Sequence, residues 1–280
     1  MRSRRGALAG LALLTLAPPL ACRSSTGAVA PLAGSPAKIL LVKGYALQAI
    51  LAQDRDISRT FIGRTTYVIS IDGSRPAAPQ IAGVVEPTAN YASFAAFATD
   101  MASGRLPGTD HAVMYDIEKW TATPVTEQQH PLEYMARFSK LAKAHGLLPI
   151  LAPARDLTLV HGGSCVKRQG ENLSQAYIRC DLAGADADAA VLVVQSQVDQ
   201  SDVPMFHNFL ALAVKQARVG NRRIAVVAQL ATAPLGRVAS LAELVSAARS
   251  VGELVQGFSL NVRMADIPAA QELLRWFNRP

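Results

Sequence analysis

The chain has 280 residues, half of them apolar, and a formal net charge of +7. That length and composition suit one large globular domain and exclude a chain too polar to build a core. The basic residues are scattered rather than interleaved with aromatics, so no nucleic-acid partner is expected.

Arg2, Arg4 and Arg5 precede an apolar run, Ala7 to Leu16, and small residues lead on to Cys22. The layout predicts a secretory signal peptide over residues 1–21, with an apolar run too short to span a membrane. Its loss removes three arginines and no acid, taking +7 to +4. Cys22 is a candidate for lipidation, the only route by which membrane contact is expected; cleavage after Ala30 is the alternative. Residues 22–38 are rich in Ser, Gly, Ala and Pro and read as a flexible tether. The predicted domain is 39–280, exported to the cell surface or the exterior. In such an oxidising compartment Cys165 and Cys180 can pair, the alternative being two free thiols.

Apolar, β-rich runs follow in order at 67–72, 81–86, 112–118, 147–152, 189–197, 223–229 and 257–261. Ile39 to Val42 is a further candidate strand, although 38–53 reads equally well as a helix. Helical periods separate the runs, at 91–103, 131–145, 172–183, 203–219, 241–252 and 269–277. In the second of these, Leu132, Met135, Phe138 and Leu141 form one stripe, with Pro131 in the first turn and Gly146 as the stop. Apolar strands alternating with helices predict a parallel α/β sheet covered on both faces. Seven or eight such units favour closure into a (β/α) barrel, TIM-barrel-like, over an open doubly wound sheet.

In such folds the site is built at the carboxyl ends of the strands. Polar residues gather there: Asp72, Glu86, Asp116 with Glu118, Arg155 and Asp156, Gln195 and Gln197, Gln229, and Asn261. The early half of each run is apolar. The pattern predicts a polar cleft for a hydroxyl-rich or charged ligand. Within His111-Ala-Val-Met-Tyr-Asp-Ile-Glu-Lys-Trp120, period-two alternation puts Met114, Asp116 and Glu118 on one face, and Tyr115 and Ile117 on the other. Two carboxylates meeting at a barrel mouth raise one another's pKa, and a raised carboxyl near neutral pH can act as a general acid.

Asp116-Ile-Glu118 resembles the end of the Asp-x-Asp-x-Glu strand of glycoside hydrolase family 18, the chitinases and related endoglycosidases. The resemblance implies a barrel in which Glu118 donates a proton and Asp116 orients a substrate acetamido group. Met114 stands where that pattern has its first Asp. Tyr115-Asp-Ile-Glu-Lys-Trp120, with Thr123-Pro124 and Glu127-Gln128, also resembles secreted actinobacterial barrel proteins of unknown activity.

These readings converge on a carbohydrate-active hydrolase with a carbohydrate substrate. Glu118, Asp116 and Glu86 are the candidate catalytic carboxylates. Asp72, Trp120, Arg155, Gln195, Gln197, Gln229 and Asn261 are candidate substrate contacts. No cofactor is expected, because no glycine-rich nucleotide motif or metal-ligand spacing occurs. Two other functions stay open: a metal-dependent phosphodiester hydrolase holding its ion with Glu86, Asp116 and Glu118, and a glycan-binding protein without turnover.

Overall fold

The computed structural model describes residues 38–70, 81–106, 111–184 and 188–278. The expected signal peptide, the tether, Cys22 and Asp72 lie outside them. The described chain forms a closed barrel of eight parallel strands in sequence order, with helices packed around it. The strands are β1 (Ile39–Lys43), β2 (Thr65–Ile69), β3 (Val84–Tyr91), β4 (Ala112–Tyr115), β5 (Leu148–Leu151), β6 (Val191–Val194), β7 (Ala225–Ala231) and β8 (Gly257–Asn261). The helices are α1 (Gly44–Gln53), α2 (Phe94–Ser103), α3 (Val125–Gln129), α4 (Pro131–Ala144), α5 (Leu173–Arg179), α6 (Val203–Gly220), α7 (Leu241–Val251) and α8 (Ile267–Trp276).

Strand alternation divides the apolar residues into two cores. Leu41, Tyr67, Ile69, Met114, Ile150, Val191, Val193 and Val227 fill the barrel. Their neighbours in sequence, among them Leu40, Val68, Val113, Tyr115, Leu151, Leu192 and Val226, face the helices. Helical stripes cover that outer face; Met135, Phe138 and Ala142 of α4 are fully buried. Both faces of most strands are therefore dry, the first half of β3 excepted, which is why the sequence runs are apolar rather than alternating. β8 closes the ring against β1, and Gly257 sits at that seam opposite Ile39. A Cβ there would lie 2.0 Å from the Ile39 carbonyl oxygen, so only glycine lets the two strands meet.

The strand limits differ from the sequence reading in two instructive places. Ile39–Lys43 is a strand and Gly44–Gln53 a helix, so the 38–53 segment is both. The second run does not end at Glu86-Pro87: β3 begins at Val84 and continues to Tyr91. Proline reads as a strand terminator because it lacks an N–H. Val84 and Thr88 bond toward β2, through Val84 N to Arg64 O and Ser70 N to Thr88 O. Pro87, out of phase with them, faces β4, whose pairing with β3 starts only at Thr88 and Ala112. Its missing donor leaves no ladder bond unmade.

Cys165 and Cys180 form a disulfide across 15 residues. By loop-closure entropy this stabilises the fold by about 3 kcal/mol. The bond is compatible with an extracellular setting. Among the described residues, no helix is long and apolar enough to cross a membrane.

Candidate active site at the barrel mouth

The alternation of β4 continues past its last paired residue. Asp116 N still donates to Tyr91 O, and Ala154 N to Ile117 O, so the chain keeps an extended course through 118. Ala112 and Met114 point into the barrel, while Val113, Tyr115 and Ile117 point at the helices. Asp116 and Glu118 thus face inward at the C-terminal mouth, as expected. The two carboxyls are hydrogen-bonded to each other. Gln195, one residue beyond β6 and on the inward phase of Val191 and Val193, clamps both. Its Nε2 donates to Asp116 Oδ1 at 3.1 Å, to Glu118 Oε1 at 3.3 Å and to Ala152 O at 3.1 Å.

Sequence reasoning missed two members of this ring, Lys43 and Asn90. Lys43 ends β1 on the inward phase of Ile39 and Leu41. Asn90 lies near the end of β3, alternating with the outward Ala89 and Tyr91, and donates a hydrogen bond to Asp116. The signal for Lys43 was present: a lysine closing an apolar run. It was hidden because the run was not firmly a strand. Asn90 was hidden by the misplaced end of β3.

Burial is the main force raising the Asp116 carboxyl, to about 6, against the pull of the Lys43 charge and the Asn90 hydrogen bond. Burial also raises Glu118, to about 7, helped by the negative charges of Asp116 and Asp156 and opposed by the Gln195 hydrogen bond. A pair in this state holds one proton between two carboxyls near neutral pH.

This has a cost in stability with a definite sign. The ordinary values of the two carboxyls are 3.8 and 4.5. Raised in the fold, they bind protons more readily when folded than when unfolded. Stability therefore falls as pH rises from the ordinary carboxyl range through about 7, and is level above. Asp116→Asn should accordingly melt at a higher temperature than the wild type at about pH 8, with the difference shrinking or vanishing near pH 4. A variant less stable than the wild type at about pH 8 would contradict this electrostatic account.

The remaining predicted site residues divide into two groups. Gln229 and Asn261 lie near the ends of β7 and β8, on the inward phases of Val227 and Ser259, and so at the mouth. Gln197 follows Gln195 in the loop after β6. The side-chain oxygens of Asn90, Gln197 and Gln229 are buried and accept no hydrogen bond among the described residues. Trp120 stands on the loop after Glu118, with 44% of its surface exposed, and its Nε1 donates to Thr123 Oγ1 at 2.7 Å.

Two expectations need correction. Glu86 is not at the mouth. It lies in the first half of β3, opposite Tyr67, with His111 Nδ1 at 3.3 Å from its carboxylate. At about 3.3 Å per residue, the four positions from Glu86 to Asn90 put roughly 13 Å of strand between Glu86 and the level of the carboxyl pair. It can be neither a second carboxylate of the site nor a shared metal ligand with Asp116 and Glu118. Arg155 is turned outward. Its Nη1 donates to Asp199 Oδ2 at 2.5 Å and to Ser174 Oγ at 2.6 Å, with its guanidinium over the Phe209 ring. It bonds Asp199 rather than Asp156, and it braces the loops instead of reaching a ligand. Asp156 instead accepts from Lys119 N at 3.1 Å, which fixes the loop carrying Glu118.

Glu127 and Gln128 explain why the motif extends so far past the acids. Glu127 is 2% exposed and accepts from Tyr115 Oη at 2.6 Å, Phe94 N at 2.7 Å, and Ser93 Oγ and Ala95 N at 3.1 Å. It ties the start of α2 to the last residue of β4. Gln128 Nε2 donates to Trp120 O and Thr123 O, both at 2.7 Å, and so pins the loop that carries Trp120. Among the described residues, no group of three or more acidic, histidine or cysteine side chains is placed to hold a metal ion. No protein-family model matches the chain, and no curated protein sequence is significantly similar to it.

Proposed function

We propose that this protein is an exported, carbohydrate-active hydrolase that uses Glu118 as its proton donor. The observation that carries the reading is the inward-facing Asp116–Glu118 pair, raised toward neutral pH and held by Gln195 and Asn90. A carboxyl that keeps its proton near pH 7 is suited to protonate a leaving glycosidic oxygen. Asp116 receives the hydrogen bond of that proton before the step, and its bond from Asn90 steadies its charge.

Because the two carboxyls touch, Asp116 is not set apart as a nucleophile on the far side of a sugar ring, as conventional carboxylate pairs require. The attacking oxygen is then the substrate's own acetamido carbonyl, as the resemblance to family 18 implies, or water. The glycosidic bond breaks, its oxygen takes the Glu118 proton, and the Glu118 carboxylate recovers a proton from the water that completes hydrolysis. Gln229, Gln197 and Asn261 would bond sugar hydroxyls, and Trp120 offers an exposed flat face for stacking. The predicted leader, with the disulfide, supports export; lipidation at Cys22 belongs to the same reading.

The phosphodiesterase alternative loses its ligand set, since Glu86 stands far from the two acids. The test is release of reducing ends from a panel of N-acetylhexosamine and neutral polysaccharides. The proposal expects release from at least one; binding without release from any would make the protein a glycan-binding module instead.

A further inference from the structure

Lys43 sits inside the mouth, half-buried, and its ammonium has no ion pair or hydrogen bond among the described residues. Among the described residues, the other cations of the mouth loops are committed or peripheral. Arg155 is held by Asp199, Arg237 by Glu243 at 2.7 Å and Arg263 by Asp266 at 2.8 Å, while Lys119 is exposed on the rim. The charge of Lys43 is nevertheless felt by both Asp116 and Glu118. The ammonium is therefore close to the pair without touching it. Such a group keeps three donors that no described residue accepts.

The same mouth holds the opposite deficiency. Among the described residues, the buried oxygens of Asn90 and Gln229 there, and of Gln197 in the loop after β6, have no donor. An unmade bond to a buried polar group costs about 1–3 kcal/mol, so the ligand or its water must supply donors to these oxygens and an acceptor to Lys43. The Nδ2 of Asn90 is spent on Asp116, which leaves its oxygen as the group open to a ligand.

We propose that Lys43 is the specificity-determining residue of the site and selects a sugar ring that carries a carboxylate. Hydroxyl groups of the ring serve the three amide oxygens, and the carboxylate serves the ammonium. A single ammonium, with no arginine fork beside it among the described residues, matches a singly charged anion. A phosphate dianion would meet it among the carboxylates of Asp116, Glu118 and Asp156. The substrate class is thus an acidic glycan, of uronic acids or of N-acetylhexosamine bearing an acidic ether. This rests on the hydrolase reading for turnover, but the binding preference stands apart from it.

The test is calorimetric binding to the full chain near neutral pH, with probes paired to differ in the acid. N-acetylmuramic acid is set against N-acetylglucosamine, and glucuronate and galacturonate against glucose and galactose. The acid of at least one pair should bind about tenfold tighter or more than its neutral partner, the size of one charge-assisted hydrogen bond. Lys43→Met should abolish that preference, bringing each acid to the affinity of its neutral partner, and Lys43→Arg should restore part of it. Thermal melting of each variant reports whether it is folded; Lys43→Gln replaces Lys43→Met if the latter is not. No preference for any acid in the wild type, no binding of any acid, or a preference that survives loss of the charge would each overturn the proposal. A preference without turnover of any glycan would sink the hydrolase reading and leave this one. Hydrolysis of neutral glycans by a wild type that prefers no acid over its neutral partner would do the reverse.

Discussion

Replacing Glu118 by Gln should lower kcat on the glycan substrate by about 10³-fold, within the usual range for a lost general acid, and change KM only a few-fold. The amide is close to isosteric and its oxygen can still accept from Gln195, so the mouth keeps its shape. What disappears is the transferable proton. Steady-state kinetics with the wild type alongside checks this, and retention of activity within tenfold would remove Glu118 from the chemistry. The pH profile carries a second expectation. Activity needs Glu118 protonated, so it should fall as pH rises through about 7. The charge of Asp116 helps to raise Glu118, so Asp116→Asn should move that alkaline limb to lower pH.

Glu127→Ala should destabilise the protein by about 3 kcal/mol or more, although Glu127 touches no ligand-facing group. Four donors converge on its buried carboxylate: the Tyr115 hydroxyl, the Ser93 hydroxyl and two backbone amides. Alanine leaves them unpaired in the interior, where each lost partner costs more than the bond itself contributed. Urea denaturation measures the change, and a loss below about 1 kcal/mol would show that water replaces the carboxylate. Tyr115 precedes Asp116, so part of the damage should reach the site. Glu127→Gln, which keeps an acceptor oxygen, should fall between alanine and wild type.

The barrel was legible in the sequence because a strand dry on both faces has no other way to look: Val191–Val194 and Ala112–Tyr115 are apolar at every position. The inward face of Asp116 and Glu118 followed from alternation alone, and Gln195 from its place after a strand. The disulfide followed from the expected compartment and from two cysteines left to pair. What failed was the end of β3. Proline in a strand is normally a stop, and only the late start of β4 pairing makes Pro87 harmless. That one error put Glu86 at the wrong end of the barrel and concealed Asn90. Arg155 misled for another reason. A charged residue just past a strand is a fair site candidate, but its partners, Ser174 and Asp199, come from segments 19 and 44 residues away, and no local pattern shows such pairing. Glu127 and Gln128 belong to the same stretch of sequence as the two acids, yet their work is structural: they hold the loop on which Glu118 stands.

One proton shared between Asp116 and Glu118 underlies the proposed chemistry. Carbon-13 NMR titration of the side-chain carboxyls in the full chain, with peaks assigned by Asp116→Asn and Glu118→Gln, measures it directly and needs no substrate. Two interacting steps near 6 and near 7 are predicted, each altered when the other residue is replaced. Independent titration of both carboxyls at their ordinary values of 3.8 and 4.5 would mean that water reaches the pair freely and that Glu118 has no proton to donate near neutral pH.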